Sequence, residues 1–440
     1  MSTKVVRGAT IATMNSAFDV IEGDILIRDG RIVALGDAGP EPEGADIIEA
    51  AGHVVVPGFV QTHVHLCQTL MRNCADDLVL IDWLRQRIWP YEAALEYDDL
   101  RTSARVGLAE LMLGGTTTIL DMGTVRHTDA IGEAVETSGI RAFIGKCMMD
   151  HGEGVPAGLL EKTADSMREA LRLADVWTGA GDGRIGWAFA PRFAVSCTEG
   201  LLRQVAEAAE DRGDLIHTHA AETAFENEFC GEAYGCTNMQ FLERIGMLRE
   251  GSVLAHGVHV DEAECGVLAR TKTAIAHCPS SNLKLASGIA NLPRYDACGV
   301  RVSLGADGAP CNNNLDAFVE MRLAALIQKP IHGPTAMPAR RVLQLATIDG
   351  ARALGIAAEV GSIEPGKFAD LVVLDLDSDP GAGPGGDLYS RVVYSAHRSN
   401  VRHVLASGRQ LVRNGILLDV DVPALMAEGR DALARVTARM

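Results

Sequence analysis

Absences narrow this 440-residue chain before any motif does. It has no excess of positive charge. Its 58 Asp and Glu against 40 Lys and Arg leave a formal net charge of -18, which speaks against a nucleic-acid backbone or an anionic membrane as partner. It has no uncharged apolar run of the about 18 residues that a membrane helix needs. Its opening stretch, MSTKVVRGATIATMNSAFDV, lacks a signal-peptide pattern. Its ten cysteines contain no C-x-x-C pair, and several sit in apolar runs, so buried free thiols in a reducing cytoplasm are expected rather than disulfides. No internal repeat, low-complexity tract or evident linker interrupts it. What is present is ordinary globular material, 47% apolar and 22% charged. A single (β/α)8 barrel takes about 250 residues, so a second module or large insertions are expected.

The chain divides by pattern into three parts. Residues 1–57 read as short strands with turn signals, among them Asp29-Gly30 between two alternating runs, a hairpin signal. Residues 58–356 alternate apolar strands with amphipathic helices. The first strand ends in His63-Val64-His65, and TTTILDMG, RAFIGKCMMD, RIGWAFAPRF, DLIHTHAAE, SVLAHGVHV, TAIAHCPSSN and VRVSLGADGAP supply seven more. An open doubly wound sheet gives similar local signals, and the count of eight decides for a closed parallel barrel. Residues 357–440 return to β structure and finish in a helix. Each flanking segment is thin for an independent core, so the two are expected to pair into one small module beside the barrel.

Polar residues collect at the strand ends, where such a barrel carries its active site. Strand one ends in His63 and His65, strand five in His217, His219 and Glu222, strand six in His256 and His259, and strand eight in Asp307. Residues two apart on a strand share a face, so the paired imidazoles of His63 and His65 project together. Imidazole and carboxylate are the donors of a Zn or Fe site that needs no thiolate. Spacing alone leaves His217 and His219 as rivals.

HxH after strand one, H-x-x-E after strand five, AHG-x-x-H after strand six and G-x-D-G after strand eight resemble the amidohydrolase superfamily over almost the whole chain. HCPSSNLKLASGIA and GADGAPCNNNLDAFVEMR resemble its branch of deaminases for S-adenosylhomocysteine, methylthioadenosine and 5′-deoxyadenosine, related to triazine hydrolases and guanine deaminases. The resemblance implies an α/β fold, a (β/α)8 barrel with a small β-sandwich built from both chain ends. It implies His63, His65, His219 and Asp307 as ligands of one divalent metal, zinc with iron as the alternative. Glu222, next in the H-x-x-E pattern, is implied as the general acid/base. His256 is implied as the group orienting the attacking water, and Asp307 as the acceptor of its proton. His259 reads as a structural loop residue, and His277 either lines the pocket or anchors its loop. Two-metal relatives carry a carboxylated lysine at the end of strand four. Here Arg192 stands there, and a guanidinium cannot form that bridge. Lys146, on strand three, is out of position.

Substrate identity is less sharply marked. Gln68 and Arg192 resemble the glutamine and arginine that grip the base in guanine deaminases. Trp83, Trp89 and Glu92, in DWLRQRIWPYE, resemble the segment that closes the pocket or contacts the ribose in the adenosine-derivative enzymes. Core packing is the competing reading for both tryptophans. The leading expectation is hydrolytic deamination of a 5′-modified adenosine. Guanine deamination and s-triazine hydrolysis are the alternatives, and a non-catalytic binding relative is the reading from another class. The partner is then a small purine or related heterocycle, a homo-oligomer (dimer or tetramer) is expected, and the thiols and the opening stretch read as cytoplasmic.

Overall fold

The structure, a computed structural model, describes residues 3–37, 39, 42–383 and 385–440. At the N-terminus β1 (Thr3–Ala12), β2 (Val20–Arg28) and β3 (Arg31–Gly36) form an antiparallel meander. Arg28 pairs with Arg31, so Asp29-Gly30 alone closes the hairpin, with φ of 47° and 80°. Positive φ at both central residues is what a type I′ turn requires, and it explains the Asp-Gly pair. The other edge of β1 takes β4 (Asp46–Glu49) and then β5 (Val54–Pro57), both parallel.

The chain then enters eight parallel strands. In sequence order β6 (Phe59–His65), β7 (Thr116–Met122), β8 (Arg141–Gly145), β10 (Ile185–Pro191), β11 (Leu215–Ala220), β12 (Ser252–His256), β13 (Ala274–His277) and β14 (Arg301–Leu304) pair side by side, and β14 returns to β6 to close the barrel. Two-residue extensions refine the rim. β9 (Cys147–Met148) lies beside β10, and β15 (Asp307–Gly308) lies beside β6, with Asp307 opposite Val64 and Gly308 opposite His65. That second pairing carries Asp307 to the two histidines of strand one.

After the barrel, β16 (Leu371–Leu374) runs antiparallel to β5, and β17 (Val401–Ala406), β18 (Arg409–Arg413) and β19 (Ile416–Leu417) continue outward. Both chain ends thus share one continuous nine-stranded sheet. Its alternation is regular. Val55, Leu371, Val373 and Leu405 face a core of their own with Ile11, Ile25 and Ile27, while Val54, Val56, Val372, Leu374 and Val404 face the core shared with the barrel. A strand with Val at three positions in four can be buried on both faces, and β5 is. The last helix (Val422–Arg439) packs on helix Tyr97–Leu113, where Arg435 and Arg439 grip the buried Asp99. Among the described residues no helix is long and apolar enough to cross a membrane, and all ten cysteines are free, most of them buried.

Candidate active site at the strand C-termini

The C-terminal rim gathers donors from three strand ends. His63 Nε2 lies 3.1 Å and His65 Nε2 3.3 Å from Asp307 Oδ1, and His65 Nε2 lies 3.3 Å from His219 Nε2. One ligand atom from each of His63, His65, His219 and Asp307 falls within 4.8 Å of all the others. Backbone strain marks the place. His256 and Asp307 are both in the left-handed region, with φ of 78° and 62°, which non-glycine residues adopt at a cost. Gly308 is needed for another reason, since a Cβ there would sit 2.1 Å from Gln68 Oε1.

Hydrogen bonds on the far side of each ring fix where the lone pairs point. His65 Nδ1 meets the Met122 carbonyl at 2.8 Å and His219 Nδ1 the Arg192 carbonyl at 2.7 Å, so both rings carry their proton on Nδ1. Their Nε2 lone pairs face Asp307 and each other. His63 Nδ1 instead meets His217 Nε2 at 2.7 Å, and its own Nε2, buried, has no hydrogen-bond partner in the protein. Bare imidazole nitrogens converging on a carboxylate are costly unless something positive lies between them. The donor set therefore fits a divalent cation, with nitrogen and oxygen ligands suited to zinc or iron. His217, the rival by spacing, is placed behind His63 and not at the rim.

Charge at the site follows from burial and proximity. Burial pushes His63 down to about 4 despite Asp307, and pushes His219 and His256 down as well. Burial also acts to raise the Asp307 carboxyl, but the facing His63 and His65 hold it well below the carboxylate range. Glu222 goes the other way. Burial first, and the Asp307 charge second, push it up to about 8. Its Oε1 accepts a hydrogen bond from Ser287 Oγ at 3.2 Å, and its Oε2 lies 3.5 Å from His256 Nε2, which is itself 3.9 Å from Asp307 Oδ2. Two carboxyl groups with opposite shifts flank one imidazole. Such a pair divides acid and base roles at neutral pH.

A narrow cavity opens in front of these groups. Its walls are His65, Gln68, Leu80, Trp83, Leu84, Arg192, Phe193, His219, Glu222, His256, Leu285 and Asp307. Trp89 and Glu92, expected at the substrate, are not among them. Pro90 has no N–H to return to the helix, and a π-helical turn (Leu84–Ile88) precedes it, with Trp89 N–H reaching the Leu84 carbonyl. Trp83 and Leu84 face the cavity, whereas Trp89 is buried in the core. Glu92 lies behind the wall with both oxygens engaged, Oε2 by Arg192 Nη1 at 2.5 Å and Oε1 by Gln68 Nε2 at 2.8 Å. That bond sets the Gln68 amide, because only the amide nitrogen can donate to a carboxylate, and the Gln68 Oε1 is left buried without a protein partner.

Other residues are placed as follows. His259 Nε2 bonds the Ser287 carbonyl at 2.9 Å, a loop anchor. His277 is buried, pushed down to about 3 by that burial, has neither ring nitrogen hydrogen-bonded, and does not line the cavity. Lys146 is ion-paired with Glu161 and stands outside the histidine cluster. The sequence reading missed Asn282, whose Oδ1 meets His256 Nδ1 at 2.9 Å, and Ser287. It also missed Glu226, whose Oε1 accepts from the Glu222 and Thr223 amides at 2.8 and 3.2 Å. Thr223-x-x-Glu226 is a capping box, and that pattern was readable.

A model of the amidohydrolase family matches residues 54–411. The chain belongs to the amidohydrolase family. Among its relatives, this amidohydrolase is 38% identical to a 5-methylthioadenosine/S-adenosylhomocysteine deaminase of Moorella thermoacetica, over 100% of this chain and 99% of that one. It is 37% identical to a 5′-deoxyadenosine deaminase of Methanosarcina acetivorans, over 100% and 99%. Among solved structures, an adenosine deaminase from Xanthomonas campestris with bound zinc superposes with a TM-score of 0.93 at 31% identity, covering 99% of each chain. The zinc bound in that relative and the cluster of His63, His65, His219 and Asp307 in this chain both support a divalent-metal site here.

Proposed function

We propose that this amidohydrolase deaminates a 5′-modified adenosine at C6, replacing the amino group by the oxygen of water and releasing ammonia. The observation that carries the reading is a cluster of four metal donors beside the buried Glu222 carboxyl over one cavity. Full-length similarity to deaminases of methylthioadenosine, S-adenosylhomocysteine and 5′-deoxyadenosine supports the substrate class.

His63, His65, His219 and Asp307 would hold one divalent ion, zinc in our reading and iron as the alternative. Its contribution is to lower the pKa of a water it binds from 15.7 to about 7. Asp307, kept ionised by its histidines, accepts a proton from the attacking water. His256 Nε2, between Asp307 and Glu222, orients that water. Glu222, kept protonated by its burial, gives its proton to the ring nitrogen beside C6 and regains one from the new C6 hydroxyl, while the proton taken up by Asp307 passes to the amine, which leaves as ammonia. Gln68 and Arg192 meet the polar edge of the substrate with an acceptor and a cation, and Trp83 with its leucines forms the apolar wall. Glu92 serves behind them, holding both in place.

The test is kcat/KM for 5′-deoxyadenosine, methylthioadenosine and S-adenosylhomocysteine beside adenine, guanine and a chloro-s-triazine. The nucleosides are expected to lead by at least a hundredfold, about 2.7 kcal/mol. A hundredfold preference for guanine would overturn the substrate assignment, and ammonia release from none of them would overturn the deaminase reading.

A further inference from the structure

His217 lies in the barrel interior beside the metal donors and directs its Nε2 at His63 rather than at the cluster itself. It lies two residues before His219 on β11, so its ring points to the same side, one layer deeper in the barrel. It is fully buried, and it touches His63 with ring centroids 4.8 Å apart. Its Nδ1 lies 2.9 Å from the Val253 carbonyl, and its Nε2 lies 2.7 Å from His63 Nδ1.

Only one placement of protons satisfies both contacts and leaves the His63 Nε2 lone pair for the ion. A carbonyl oxygen only accepts, so His217 must carry its proton on Nδ1. In a neutral ring that leaves Nε2 with a lone pair, which needs a donor from His63. A His63 that turns its Nε2 lone pair to the cluster must carry its proton on Nδ1, so His217 Nε2 is the acceptor and cannot be protonated as well. His63 therefore carries its proton on Nδ1, and its Nε2 lone pair is turned toward Asp307. His65 and His219 reach the same state through backbone carbonyls, whereas His63 has only another side chain to do it.

We propose that His217 is a positioning residue, an imidazole that accepts the His63 Nδ1 proton and so fixes the tautomer and angle with which His63 Nε2 meets the metal. The chain Val253 carbonyl, His217, His63, ion is a relay of hydrogen bonds with no proton transfer in it. It rests on the metal-site reading above, and it is tested without reference to turnover.

The experiment compares the zinc-loaded parent with H217L and H217Q. Gln Oε1 can take the place of Nε2 as acceptor, and Leu cannot. Each protein is mixed with excess chelator and the zinc released is followed in time. Loss of an outer partner typically weakens metal binding about 10–100-fold, so H217L should release zinc at least tenfold faster than the parent, and H217Q within threefold of it. Zinc retention by H217L equal to the parent overturns the proposal, as does equal loss from both variants. Neutron diffraction from the parent crystal reads the same claim with no substitution. Deuterium is expected on Nδ1 of both His63 and His217, and deuterium on His217 Nε2 overturns it. A parent that deaminates nothing yet shows this placement would sink the proposed function and leave the relay standing.

Discussion

The two sides of the cavity are built differently. On the metal side, each donor sits at the end of a barrel strand or on the two-residue β15, and its orientation is set by backbone carbonyls or by another strand residue. On the recognition side, Gln68, Trp83 and Leu84 belong to the long excursion after β6, and the polar one, Gln68, is held by the Glu92 side chain, which Arg192 grips in turn. Barrel strands are fixed by neighbours on both edges, and loops only by what they happen to touch. Chemistry that must not vary is therefore carried by the first kind of element, and selectivity by the second.

The largest effect should come from breaking the metal side. His63→Ala removes one ligand and the terminus of the relay. Elemental analysis should find the variant essentially without metal, and turnover of every substrate should fall by at least about 10³-fold, the several kcal/mol a catalytic ion supplies. A variant that keeps one equivalent of zinc would show that His63 is no ligand.

Glu222 comes next, because it moves protons without ligating. Glu222→Gln should keep the metal and lose about 10²–10⁴-fold in kcat. Its folded pKa, about 8, lies above the ordinary 4.5, so folding favours the protonated form. The stability linked to Glu222 is fully present below 4.5 and is lost as pH rises through 8. Parent activity should therefore decline as pH passes 8, while the amide variant resists heat better than the parent at pH 9. A variant with more than about a tenth of parental kcat would move the acid/base role to His256.

The same contrast explains what could be read in the sequence. Strand ends were legible because period two puts His63 with His65, and His217 with His219, on one face. Asp29-Gly30 declared its hairpin for an equally local reason. The partners were not legible. Glu92 finds Arg192 100 residues away, and His63 finds His217 across 154. No spacing rule links them, so Glu92 read as a free carboxylate for a ribose diol when it is a bound one. Trp89 misled similarly, since the π-helical turn before Pro90 rotates the faces of that segment.

Breaking the recognition side should give a smaller and substrate-dependent loss. Glu92→Gln leaves the Arg192 guanidinium buried without its counter-charge and frees the Gln68 amide to turn. Breaking one member of a buried pair costs about 3–5 kcal/mol of stability. kcat/KM for the preferred nucleoside should fall about 10–100-fold, with metal content unchanged. The double variant Glu92→Leu, Arg192→Met should be more stable than Glu92→Gln alone, since no unpaired charge remains. A double variant less stable than the single would show that the pair is worth more than its desolvation.

The smallest effect should come from Lys284, which tests whether loop anchorage matters to selectivity at all. Its Nζ is paired with Asp76 on the excursion after β6, bonds Asn313, and donates to the Pro310 carbonyl at 2.8 Å. Three loops around the mouth thus converge on one ammonium. Lys284 and Asp76 are 22% and 43% exposed, so the pair is screened by solvent and worth no more than about 1 kcal/mol. Lys284→Met keeps the stem and removes the charge. The excursion that carries Leu80, Trp83 and Leu84 should then be held less firmly, raising KM by no more than about fivefold. The chemical step depends on the strand ends, so kcat should be unchanged. Added salt should move the parent toward the variant, because screening weakens an exposed pair without touching buried ones. A fall in kcat with KM unchanged would show that the two sides are coupled, and that the loops help to set the metal donors as well as the substrate.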